Sequence, residues 1–74
     1  MELLMSKHAL EQARERGVSI NEIKETIQKG AKFLQDSKEG KIVSLYRHIK
    51  VIFKKIEDKY FIISVMIRKE ENEK

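Results

Sequence analysis

His8, Gln12 and Arg16 recur at intervals of four residues. On a helix that spacing makes one ridge, so an imidazole and a guanidinium would stand on the same side of the same element. Together they could supply a proton acceptor and a phosphate clamp for attack by a ribose 2′-hydroxyl. The plain structural reading puts His8 in an exposed first turn and pairs Arg16 with the last carbonyls of its helix or with a carboxylate.

A second group lies between residues 41 and 59, where Lys41, Arg47, Lys50, Lys54, Lys55 and Lys59 are opposed only by Glu57 and Asp58. Acids and bases balance in the rest of the chain, so the formal net charge of +4 resides in this segment. A localised excess of one sign is the footprint of an anionic partner, and RNA fits it. His48, Lys50 and Lys54 could track phosphates, with Tyr46 and Tyr60 stacking bases beside them. Arg68 shares the parity of Ser64 on the last strand and joins His8 and Arg16 as a candidate catalytic side chain. The structural alternative is an edge strand kept soluble by lysine.

Other chemistry has no visible carrier. The two histidines are forty residues apart with no acidic ligand pattern around them, so no metal site is expected. There is no glycine-rich phosphate loop and no nucleophile elbow, and no cofactor is implied.

The elements that must position these residues follow from chain length and pattern. Seventy-four residues hold one hydrophobic core, and without cysteine no disulfide staples it. The absence of cysteine fits a reducing compartment, and no apolar run is long enough to span a bilayer; a cytoplasmic location without membrane contact is expected. Ser6 caps a helix from about Lys7 to Arg16, closed by Gly17 in a left-handed conformation. Ser19 opens a second helix with Glu22 completing a capping box, and Gly30 ends it. Met5, Ala9, Leu10 and Ala13 form the buried stripe of the first helix; Ile20, Ile23, Ile27 and Ala31 form that of the second. After Gly30 the period shortens to two, with strands at about 32 to 36, 41 to 46, 49 to 56 and 60 to 67.

Short connections make neighbouring strands antiparallel. The expected fold is therefore α+β, ααββββ, with two helices on one face of a four-stranded antiparallel sheet. It forms a single domain over residues 1 to 68, followed by a charged, frayed tail over 69 to 74. The last strand is apolar on both sides, so its register is ambiguous. A two-residue Glu57-Asp58 turn places Phe53 opposite Ile62, whereas an odd loop of Glu57-Asp58-Lys59 aligns it with Phe61 or Ile63. The odd loop is the preferred reading. It places Ile20, Ile23, Ile27, Val51, Phe53, Ile63 and Val65 in the core. Ile52, Tyr60, Ile62 and Met66 then form an apolar patch on the far side, a surface expected to make a homodimer.

With the helices placed, Lys7-His8-Ala9-Leu10-Glu11, Arg16-Gly17-Val18-Ser19 and Glu22-Ile23 become distinctive. This pattern resembles the domain of unknown function 4258 family, whose members open similarly and continue with a glycine-ended helix and a valine-rich strand. Here Lys50-Val51-Ile52-Phe53 and Ile62-Ile63-Ser64-Val65 stand in the strand positions, and the resemblance runs from about Met5 to Arg68. The family commonly carries arginine where this chain has Gln12 and threonine where it has Ser64. It looks related in turn to the RelE-like and BrnT-like toxins. That relation implies helices on an antiparallel sheet, metal-independent action on RNA and an antitoxin-like protein partner. The expected function is a toxin-like domain binding or cleaving RNA, with a non-catalytic homodimeric interaction module as the alternative.

Overall fold

Two serines and a glycine fix the helix ends through backbone chemistry. The structure, a computed structural model, describes residues 2–68; the tail expected over 69–74 lies outside them. In the first helix, α1 (Lys7–Arg16), the Ser6 hydroxyl accepts from the Ala9 N–H at 3.0 Å. Gly17 closes it at φ 68°, and the Val18 N–H reaches back to the Ala13 carbonyl at 2.9 Å. This is a Schellman end, in which a residue without a Cβ takes the left-handed position and orphan carbonyls find donors. In the second helix, α2 (Ile20–Lys29), Ser19 and Glu22 exchange hydrogen bonds at 3.1 and 2.9 Å. Both orphan N–H groups are satisfied, as the sequence predicts.

Five strands form the sheet, not the expected four. The additional strand, β1 (Glu2–Met5), precedes α1 and runs parallel to the last strand. The others are β2 (Ala31–Asp36), β3 (Lys41–Tyr46), β4 (Ile49–Ile56) and β5 (Lys59–Ile67), joined in sequence as antiparallel neighbours. The order across the sheet is β1-β5-β4-β3-β2. Four residues are too few to show a period, and a parallel partner distant in sequence leaves no local turn signal.

The hairpin between β4 and β5 overturns the preferred register. Ile56 pairs with Lys59, so the turn is the two-residue Glu57-Asp58, and Phe53 falls opposite Ile62. Farther along, the register shifts between Ile52 and Phe53, with Ile52 opposite Ser64, leaving Ile63 as the extra residue of a bulge. A bulge reverses parity, so Tyr60 and Ile62 before it and Val65 after it all turn to the helices. Ile62 is consequently fully buried (0% exposed) in one cluster with Ala9, Ala13, Ile23, Ile27, Val51, Phe53 and Val65. Ile62 is thus a core residue and not part of an exposed patch, and Ile63, expected in the core, is only partly buried. Ile20 is 43% exposed, because it stands at the solvent-facing start of α2. Leu10 is likewise exposed, and Met5 belongs to β1 rather than to a helical stripe.

The second helix meets the sheet at Gly30, whose φ of −75° any residue could adopt. Space, not conformation, requires glycine there. A Cβ would sit 2.6 Å from both the Leu45 carbonyl and the Ser44 hydroxyl and closer still to the Thr26 carbonyl. Two of these obstacles are backbone atoms that move only with β3 and α2. Gly30→Ala is expected to cost about 1–3 kcal/mol through overpacking, measured by urea unfolding. Gly17→Ala supplies the control in which strain comes from φ alone, since nothing lies within 4 Å of its Cβ position.

Candidate nucleic-acid interface

Helices cover only one side of the sheet. Ile49, Val51 and Phe53 of β4 enter the core, so the alternate residues Lys50, Ile52, Lys54 and Ile56 belong to the opposite, open side. Cross-strand pairing extends this side in rows. Lys50 lies between Leu45 and Met66, Ile52 between Val43 and Ser64, and Lys54 between Lys41 and Phe61. Phe33 continues the middle row on β2, and Leu4 continues the last on β1.

Ammonium groups on this face are weakly compensated. Lys41 and Lys54 are directly opposed like charges, an arrangement that costs stability in an antiparallel pair. Lys41 is relieved by Glu39 at 3.0 Å. Neither Lys50 nor Lys54 forms an ion pair among the described residues. Two aromatic rings accompany them. Phe33 is 55% exposed, and Phe61 is partly exposed beside Lys54. Neither ring is singled out by the sequence pattern. The parity of β5 before the bulge was the missing signal for Phe61, because the odd-loop register turned it inward.

The proposed stacking tyrosines lie elsewhere. Tyr60 packs against the core on the helix side, its ring 5.6 Å from that of Phe53. Tyr46 pairs with the buried Ile49, which places it on the helix side too, and the Arg47 guanidinium lies 5.1 Å from its ring centroid. His48 is exposed in the two-residue turn between β3 and β4, and its carbonyl accepts from the Arg68 N–H. The Arg68 guanidinium donates to the Arg47 carbonyl, tying the end of β5 to that turn.

The helix ridge and the basic strand do not converge. α1 packs on β5 and β1 through Ala9 and Ala13, and His8 and Arg16 are exposed on that layer. Lys50 and Lys54 are on the other side of the sheet. His8, Arg16 and Lys50 therefore do not surround one phosphate. Arg16 pairs with Glu15 at 3.7 Å, as the plain reading has it. The patch proposed for a homodimer is also divided: Tyr60 and Ile62 face the helices, while Ile52 and Met66 face away, and Ile52 is only 8% exposed. Among the described residues, no three His, Cys, Asp or Glu side chains come together as metal ligands. None of the described helices is long and apolar enough to cross a membrane.

Gln12 has a different task from its neighbours on the ridge. Its Oε1 accepts from the Ser64 hydroxyl at 2.8 Å and from the Val65 N–H at 3.0 Å. It therefore satisfies a backbone donor of β5 that lies past Ile62, where pairing with β1 ends. Ser6 acts on the same stretch, its N–H donating to the Ile62 carbonyl and its hydroxyl to that of Ile63. The residue that interrupts a catalytic-looking ridge is a structural clamp.

The architecture defines a small α+β domain, two helices on a five-stranded sheet whose other side is basic and open. The chain belongs to the family described as Domain of unknown function (DUF4258), whose model matches residues 5–67. No curated protein matches it.

Gln12→Ala is expected to cost about 1–3 kcal/mol, the penalty of an unsatisfied buried donor. Gln12→Glu, which keeps the acceptor, should retain most of that stability at neutral pH. Equal losses in thermal unfolding would show that side-chain packing, not the hydrogen bonds, holds α1 to the bulge.

Proposed function

We propose that this domain binds single-stranded RNA on the open side of its sheet. The observation that carries the reading is the pairing of unpartnered charge with aromatic surface. Lys50 and Lys54 flank Ile52 on a central strand without carboxylate partners among the described residues; Phe61 pairs with Lys54, and Phe33 stands on the same side two strands away in the row of Ile52. A flat face of this kind offers ammonium groups to the phosphate chain and rings to the bases, a sequence-tolerant mode of binding. Polyanion binding would also relieve the repulsion between Lys41 and Lys54.

Binding without cleavage is the version the geometry favours. The RelE-like and BrnT-like resemblance implies a metal-independent ribonuclease, and such a reaction needs a base and a phosphate clamp on one scissile bond. The exposed His8 and the lysines of β4 are separated by the sheet itself. Arg68 is engaged with the Arg47 carbonyl at the sheet end.

The test is the affinity for a fluorescent single-stranded RNA measured over a series of salt concentrations. Replacing Lys50 and Lys54 together by glutamate should weaken binding about tenfold or more. It should also flatten the slope of log K against log salt by about 1.4, two lost phosphate contacts at roughly 0.7 each. An unchanged slope would remove this face from the reading. The His8→Ala variant should bind as the wild type does, and the wild type should leave the RNA intact. Chelator-resistant cleavage that disappears in His8→Ala would replace the binding reading with catalysis.

A further inference from the structure

The helix-bearing side of the sheet is larger than the helices that lie on it. Ten residues of α2 extend about 15 Å, whereas eight residues of β4 extend about 26 Å. Beside α2 this leaves a cleft of about 360 Å³. Its floor and wall are apolar, formed by Ile27 of α2, Ile42, Phe53 and Tyr60. Leu34, the cross-strand partner of Ile42 on β2, shares that side of the sheet at 63% exposure. Lys32 and Lys55 also line the cleft, and among the described residues no carboxylate does. The Lys32 ammonium donates to the Gly30 carbonyl at 2.9 Å, and that of Lys55 lies 5.7 Å from the Tyr60 ring centroid. Neither forms an ion pair among the described residues.

We propose that this cleft is a docking site for an acidic amphipathic helix of a partner polypeptide, separate from the open face and independent of RNA binding. Three physical considerations select that occupant. The cleft runs over the face of the sheet, from Tyr60 of β5 across Phe53 and Ile42 to Lys32 of the edge strand β2, and a chain lying over that face must satisfy its own backbone, which a helix does and an extended peptide does not. A helix seated beside α2 would complete the layer that two short helices leave unfinished, burying Ile42 and Leu34 under leucine-like side chains. Two ammonium groups without a carboxylate at the cleft call for acidic residues flanking that apolar stripe, and basic ones would be repelled. The cleft favours this occupant over a nucleic-acid strand, whose phosphates would find only two cations and whose bases would find Phe53 buried and Tyr60 packed against it.

The probe is a synthetic helical peptide of about four turns, with leucine at i, i+3, i+4 and i+7 and glutamate on both flanks. A second peptide carries lysine in place of each glutamate. Methyl NMR of the full chain should show the acidic peptide shifting Ile27 and Ile42 while leaving Ile56, on the open side, unmoved. Lys32→Glu with Lys55→Glu should weaken the acidic peptide about tenfold or more and let the lysine peptide bind better than it binds the wild type. Both substituted residues are exposed, and an unchanged amide spectrum elsewhere verifies the fold. Shifts at neither isoleucine, or an affinity indifferent to the double substitution, would overturn the proposal. So would displacement of the peptide by a single-stranded RNA that still shifts Ile27 and Ile42 in a Lys50→Glu, Lys54→Glu background, for the cleft would then belong to RNA. Loss of RNA binding in that background with the peptide still seated would support two separate sites.

Discussion

The parity of β5 governs this fold. A strand apolar on both sides can serve a helix layer on one side only if something outside the strand decides which residues turn inward. Two features decide it here. The Glu57-Asp58 turn places Phe53 opposite Ile62, and the bulge at Ile63 then lets Val65 join Val51 on the same side. Without the turn Ile62 would leave the core, and without the bulge Val65 would. Gln12 and Ser6 hold that irregularity from α1 and its cap through hydrogen bonds to consecutive residues of β5. The helix is thus fastened to the sheet at the point where the sheet departs from regularity.

The turn itself carries a cost that the rest of the structure offsets. Glu57 has φ 57°, as does Arg47 in the equivalent position of the preceding hairpin. Two-residue hairpins favour a left-handed residue there, and glycine would serve with less strain. Burial of Ile62 and Phe53 outweighs that strain, because each fully buried side chain of this size contributes about 2 kcal/mol against roughly 1–2 kcal/mol for the backbone.

Much of the fold was legible in the sequence because its signals are local. Ser6, Gly17, the Ser19 and Glu22 box and the change of period after Gly30 act within a few residues, and each stands where it was read. Two of the misreadings depend on contacts distant along the chain, and the register of β5 on the length of the Glu57-Asp58 turn, which alternation leaves open by one residue. β1 is defined by residues 59 to 62, and the segment just past the bulge is held by Gln12, so neither contact shows in a window of ten residues. The candidate site suffered the same limitation. Lys50 and Lys54 follow from β4 alone, where strict alternation suffices to set them on the side opposite Val51 and Phe53. Phe61, Tyr60 and Ile62 depended on the disputed parity of β5 and changed sides together. His8 and Arg16 were correctly placed on a helix, but a sequence does not say which side of the sheet a helix will cover.

The pairing of β1 with β5 also fixes an order of events in the cell. Its two strands are the first and last elements of the described chain, so on a ribosome β1 emerges before β5, its sheet partner, has been made. The acceptors that receive Ser6, and the donors that Gln12 receives, likewise belong to β5. Until that strand leaves the exit tunnel, α1 has a cap but no surface on which to lie, and a helix of ten residues is marginal alone in water. Vectorial synthesis therefore yields no stable half-domain, because β1 and α1 settle only when β5 is there to receive them.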